Sequence, residues 1–138
     1  MTTARAVVSR CFWAPANNAA YLAYHDHEWG RQQRDNTVLF EMLNLEGAQA
    51  GLSWSTILNK RAGYRSAFAN WDVKQIAAFD EKKVQELMQD ARIVRNQLKI
   101  RATIANAQAT IKMMSEGKTL ADFFWGFVDS ARFRFALV

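Results

Sequence analysis

Only one proline, Pro15, and six scattered glycines interrupt this chain of 138 residues. No stretch between them alternates apolar and polar side chains strictly enough for half-buried strands. The chain therefore reads as all-α. Asn17 or Asn18 can cap a first short helix through Tyr21, Tyr24, His25 and Glu28 that ends near Gly30. After a polar loop over 30–36, Asp35, Asn36 and Thr37 offer caps for a second helix. Its apolar positions Val38, Leu39, Met42, Leu43 and Leu45 predict a mostly buried element running toward Gly51. Ser53 can cap a third helix in which Trp54, Ile57, Leu58, Arg61 and Tyr64 share a face. Asp72 with Gln75 fits a capping box, and Asp80 can cap a helix whose Val84, Leu87, Met88 and Ala91 turn inward. The strongest period follows, with Leu98 ahead of Ile100, Ile104, Ala107, Ile111 and Met114 before Gly117. Thr119 then restarts a helix through Phe123, Trp125 and Phe127.

Half of the residues are hydrophobic, which suits one compact domain over 1–138 with a real core, and no repeat or linker divides it. Eighteen Lys and Arg against thirteen Asp and Glu leave a formal charge of +5. That favours a polyanionic partner and leaves nucleic acid and anionic membrane both open. The opening residues, MTTARAVVSR, carry no apolar run of signal-sequence length, and no later run approaches the roughly 18 apolar residues of a membrane span. No membrane role and a cytoplasmic location are the expectation. A lone cysteine, Cys11, excludes an internal disulfide and fits a reducing compartment. Five Trp, three Tyr and nine Phe exceed what packing obviously needs, so several can face a ligand while most fill the core.

Two segments concentrate chemistry. Tyr21 to Gly30 holds three aromatics, two histidines and two carboxylates, and Tyr21, Tyr24, His25 and Glu28 fall on one side of a helix. Spacing alone leaves this an ordinary amphipathic face. Leu45 to Trp54 places the Glu46 carboxylate in an otherwise apolar helix. There it is either at the surface or held by a specific partner, and its apolar neighbours Met42, Leu43 and Ala50 favour the second. Gly47 and Gly51, four apart, allow a backbone or a flat ligand to come close, with helix packing the competing explanation.

These motifs occur in a specific order. Cys11-Phe12-Trp13, Tyr24 to Gly30, Phe40 to Leu43, Leu45-Glu46-Gly47 and Gln49 to Trp54 are followed by Lys60-Arg61, Tyr64-Arg65, Asp90-Ala91, Ile93, Arg95, Lys99-Ile100, Asn106-Ala107 and Asp122-Phe123 with Trp125 and Phe127-Val128. The set, spanning about 11–128, resembles the DNA-3-methyladenine glycosylase I family. The resemblance implies an all-α helix-hairpin-helix glycosylase fold. It also implies a base-excision activity that hydrolyses the N-glycosidic bond of 3-methyladenine in alkylated double-stranded DNA. On this resemblance Glu46, Tyr24 and Trp54 carry the chemistry, and Glu46 hydrogen-bonds the purine edge of a flipped base. Trp54 and Trp13 stack on that base, Tyr21 and Tyr24 line the pocket, and the Gly51, Leu52 and Ser53 turn approaches the gap in the duplex. Leu52 is the candidate wedge, with a buried leucine as the plain alternative. Methylation at N3 makes the adenine cationic, so an electron-rich cage with one carboxylate can select it without strong acid catalysis.

The family holds a structural zinc through a Cys and His near one end and a His and Cys near the other. Cys11 and His25 match the first pair, no second Cys occurs, and His27 is the only other histidine. Zinc is therefore expected to be absent or incompletely held, Cys11 and His25 otherwise being ordinary packed residues, and the implied chemistry needs no cofactor. The family's DNA-gripping hairpin also lies in the C-terminal stretch, whereas 129–138 departs from the pattern. A domain lacking the C-terminal helices is the expectation, with weakened DNA binding and an exposed apolar surface that predicts self-association or a swapped dimer. Two other readings stand beside glycosylase activity: an inactive remnant that binds a purine in the aromatic pocket, and a basic module that binds DNA without chemistry.

Overall fold

The computed structural model describes residues 8–128, and among them every regular element is helical. The stretch 129–138, expected to depart from the family pattern, lies outside the described residues. Seven of the helices start where a short polar side chain accepts a backbone N–H of the first turn, which is how a helix satisfies its otherwise unpaired donors. Asn18 does this for α1 (Ala19–His27), Asp35 for α2 (Asn36–Ala48) and Ser53 for α3 (Trp54–Asn59). After α4 (Arg61–Ala67), Asp72 caps α5 (Val73–Ala77) and Asp80 caps α6 (Glu81–Met88). Asn96 caps the long α7 (Gln97–Ser115) and Thr119 caps α8 (Leu120–Trp125).

The expected helix from Trp54 to Tyr64 is broken at Lys60 into α3 and α4. No local breaker marks the place. Tertiary contacts do: the Lys60 Nζ donates to the Ala91 carbonyl at 3.1 Å, and α4 presses Gly63 against Arg92. A Cβ at Gly63 would stand 2.4 Å from the Arg92 carbonyl oxygen, so only glycine lets the α6–α7 connection approach this closely.

The core joins Phe40 and Leu45 of α2, Ile57 of α3, Phe68, Ile76 of α5, Leu87 of α6 and Ile93, with Ile100, Ile104 and Ala107 along α7. Each large side chain so buried contributes about 1.5–3 kcal/mol. Tyr64, Phe68 and Trp71 stack nearly parallel, the last pair 5.5 Å apart and 4° from coplanar. This stack holds Ala69, Asn70 and Trp71 at φ of 51°, 50° and 61°, left-handed values that asparagine tolerates but alanine and tryptophan rarely adopt.

Phase departs from expectation at several positions. The buried side of α2 is Phe40, Glu41, Asn44, Leu45 and Ala48, while Leu43 faces outward. Leu98 and Met114 project from the ends of α7, Ala91 is exposed in the loop before it, and α8 stops before the exposed Phe127. Asn106 of α7 donates to Asn44 at 3.0 Å, and Asn44 donates to the Phe40 carbonyl at 2.8 Å, so a buried polar pair registers α2 on α7. The Asn36 side chain accepts from Ala121 N and the Trp125 indole donates to the Gln33 carbonyl, which seats α8 on the start of α2. No helix among the described residues is long and apolar enough to cross a membrane.

Candidate active site

α1 and α3 pack together and bring their aromatic residues into one row. The Tyr24 and Trp54 rings meet at 5.4 Å between centroids, Tyr21 lies 6.3 Å from Tyr24, and Trp13 lies 6.0 Å from Tyr21. Trp13 also meets His25 at 5.3 Å and Trp29 at 5.1 Å. Most of these contacts are edge-on, the arrangement that ring quadrupoles favour. Trp13 and Trp54 thus stand at opposite ends of a wall whose middle is two tyrosines. Trp29 belongs to this wall, 50% exposed, although nothing but its place in the dense Tyr21 to Gly30 segment pointed to it.

Glu46 takes the surface option. It is exposed on the last turn of α2, and the buried carboxylate of that helix is Glu41 instead. Helix phase explains the exchange, since Glu41 shares the inward side with Asn44, Leu45 and Ala48 and Glu46 does not. Glu46 still stands within electrostatic reach of the wall. Burial pushes the Tyr24 phenol above its ordinary value, and the negative charges of Glu46 and then Glu28 push it the same way. The Trp54 indole N–H is buried and meets no acceptor among the described residues. The site is therefore an aromatic row, exposed at Trp13 and Trp29 and buried at Tyr24, with the Glu46 carboxylate within electrostatic reach.

Behind the wall lies an ion network. Arg61, at the start of α4, grips Glu28 with two bonds of 2.7 and 2.8 Å and Glu41 with two of 2.6 and 3.1 Å. Arg65 adds bonds of 2.7 and 3.0 Å to Glu41. Burial pushes the Glu41 carboxyl up, but the hydrogen bonds of Arg65 and Arg61 outweigh it and hold the group below its usual range. The Arg61 guanidinium is held charged above all by Glu28. Glu28 caps the helix that carries Tyr21 and Tyr24, Glu41 sits on the helix that carries Glu46, and Arg61 follows the helix that carries Trp54. One guanidinium therefore ties together the three elements of the site. Periodicity had placed Arg61 on an apolar face without naming its partners.

The turn expected to meet DNA projects beside the wall. Gly51 has φ +78° and closes the end of α2, Leu52 N donates to the Gln49 carbonyl at 2.7 Å, and Ser53 Oγ caps α3. Leu52 is 39% exposed, unlike a core leucine.

Cys11 and His25 are neighbours, joined through the Cys11 backbone. The Cys11 backbone N–H donates to His25 Nε2 at 3.3 Å, and His25 Nδ1 lies 3.0 Å from Asp26 Oδ1. Both ring nitrogens are thereby engaged, and the pair of bonds selects the tautomer protonated on Nδ1. Asp26 in turn accepts from Arg10, at 2.7 Å from Nη2, and these contacts from Arg10 and then His25 lower its pKa to about 2. Among the described residues no three potential ligands cluster, so this donor set does not fit a four-coordinate structural zinc. The contacts instead anchor the segment that carries Trp13. A separate cavity of about 690 Å³ lies between the starts of α2, α5 and α8 and the last turns of α7, and no residue of the aromatic wall lines it.

The fold and the site together define an all-α domain with a row of aromatic rings and a turn projecting beside it. Comparison with known proteins makes the class definite. The family model of methyladenine glycosylases matches residues 13–136. DNA-3-methyladenine glycosylase 1 of Escherichia coli K12 is 47% identical over 122 residues, which cover 88% of this chain and 65% of that protein. A crystal structure of 3-methyladenine DNA glycosylase I superposes with a TM-score of 0.86 at 47% identity, covering 89% of this chain and 67% of that one. A structure of the Staphylococcus aureus enzyme, solved for its recognition of 3-methyladenine, superposes at 0.79 with 34% identity, covering 83% and 61%. The chain belongs to the methyladenine glycosylase family. It spans somewhat less than two thirds of the length of the E. coli relative.

Proposed function

We propose that this chain removes 3-methyladenine from alkylated double-stranded DNA by hydrolysing the N-glycosidic bond. The observation that carries the reading is the continuous wall from Trp13 through Tyr21 and Tyr24 to Trp54, with the Glu46 carboxylate beside it. A methylated adenine flipped from the stack presents a positive face, which aromatic rings and a carboxylate attract and which an unmodified, neutral base lacks. Trp13 and Trp54 stack on the base, Tyr21 and Tyr24 line its side, and Glu46 accepts a hydrogen bond from its edge. The N9–C1′ bond breaks with its electron pair going to the base, which leaves neutral. Water adds to C1′ and releases a proton. Glu46 stabilises positive charge along this path. Because the positive charge on the base already weakens the bond, no cofactor enters the chemistry.

Gly51, Leu52 and Ser53 meet the duplex at the extruded nucleotide, with Leu52 as the wedge. The reading places the protein in the cytoplasm. The exposed side chains of Leu98, Phe123 and Phe127 offer apolar surface for self-association.

The test is chromatography of bases released from alkylated duplex DNA. Release of free 3-methyladenine, lost on Glu46→Ala, supports the reading. Purine binding without release assigns a non-catalytic remnant instead. Salt-dependent DNA binding that survives Glu46→Gln and Trp54→Ala, again without release, assigns a basic binding module.

A further inference from the structure

Lys99 occupies the first turn of α7, the end where a helix dipole disfavours a positive charge. Its place makes sense only across the gap to α2. Its Nζ donates to the Ala48 carbonyl at 2.8 Å and to the Ala50 carbonyl at 2.6 Å. Those oxygens belong to the negative end of α2 and to the turn that follows it, where a cation is favoured and unpaired carbonyls need donors. The α7 end of the link is fixed, because Asn96 accepts from Lys99 N at 3.0 Å and the Asn106 to Asn44 bond registers the two helices further along. The far side of the turn is fixed by Ser53, whose Oγ accepts from Thr56 N and lies 2.7 Å from Thr56 Oγ1. Leu52 is therefore held outward between two anchors, and only the Lys99 anchor comes from a distant part of the sequence.

We propose that Lys99 is a positioning residue: by holding the carbonyls of Ala48 and Ala50 it fixes the 50–53 turn in the projecting form that supports a duplex opened at an extruded nucleotide. The proposal builds on the reading that this turn enters DNA. Lys99 does not touch the base. Ala50 is exposed, so water can satisfy its carbonyl when the ammonium is removed, whereas Ala48 is buried and its carbonyl loses its donor; Lys99→Arg, which keeps a donor there, separates loosening of the turn from a general loss of stability.

The test compares the full chain with Lys99→Met and Lys99→Arg in three measurements. Excision of 3-methyladenine from duplex DNA is expected to slow at least about tenfold in Lys99→Met and to recover largely in Lys99→Arg. Affinity for free 3-methyladenine is expected to stay within about twofold, since preorganised base contacts are left in place. Amide exchange at Leu52, whose N–H is bonded to the Gln49 carbonyl, is expected to accelerate in Lys99→Met. Unchanged duplex excision, a parallel loss of free-base affinity, or a salt dependence of DNA binding reduced by about one phosphate contact would each overturn the assignment. If the unaltered chain neither binds nor releases 3-methyladenine, the functional reading fails, and exchange at Leu52 alone decides whether Lys99 holds the turn.

Discussion

Arg61 donates to one oxygen of Glu41 from both Nε and Nη2, at 3.1 and 2.6 Å, with the Glu41 side chain 4% and the Arg61 side chain 14% exposed. Removing one partner of such a buried pair leaves the other charge without compensation, a loss of about 3–5 kcal/mol. Glu41→Gln is therefore expected to destabilise the fold by about 3 kcal/mol, the retained Glu28 contact keeping it at the low end. Arg65→Ala, which removes a side chain 50% exposed, is expected to change stability by no more than about 1 kcal/mol. Urea unfolding of the two variants checks the ordering, and equal losses would contradict it.

Two paired carboxyls, Glu41 in this network and Asp26 in the separate contacts with Arg10 and His25, contribute to the acid limb of the stability curve. The Glu41 pKa lies below its ordinary 4.5 in the folded chain, and Asp26 lies at about 2 against 3.8. A carboxyl whose folded value is depressed stabilises fully above its unfolded value and loses that contribution as pH falls through the folded one. Stability is therefore expected to be insensitive to these groups above about 4.5 and to fall between there and about 2. Urea midpoints across pH 2–7 check this, and in Glu41→Gln the fall should be shallower.

Two glycines should respond to alanine in opposite senses. At Gly63 the new methyl meets the Arg92 carbonyl oxygen at 2.4 Å, so Gly63→Ala is expected to cost about 1–3 kcal/mol of overpacking. At Gly47, in the last turn of α2, nothing lies within 4 Å and the backbone is helical, so Gly47→Ala is expected to add roughly 0.5–1 kcal/mol. Thermal unfolding reads both signs directly.

Local chemistry was what could be read before the structure. Asn18, Asp35, Ser53, Asp72, Asp80 and Thr119 begin their helices because a short polar side chain needs only a backbone N–H two or three residues away, and Asn96, which caps α7 in the same way, is the one cap that sequence reading missed. The aromatic row was legible for a related reason, since Tyr21, Tyr24 and His25 fall on one side of any helix that contains them. Glu46 and Glu41 could not be told apart by apolar neighbours, because Leu43 beside them faces outward and only the packed phase of α2 decides which carboxylate is buried. The break at Lys60 and the reach of Lys99 to Ala48 and Ala50 depend on partners 31, 51 and 49 residues away, which spacing along the chain does not report. The matching order of motifs supplied the family, and the structure supplied the contacts.

Affinity for free 3-methyladenine, measured by quenching of tryptophan fluorescence in the unaltered chain and in Glu46→Gln, tests the central claim most directly. A hydrogen bond to a charged group is worth about 1.5–3 kcal/mol, so the variant is expected to bind at least about tenfold more weakly with its helix content unchanged. Equal affinity in the two proteins would mean that the carboxylate at the edge of the Tyr24 and Trp54 wall takes no part in holding the base, and the site assigned here would be wrong.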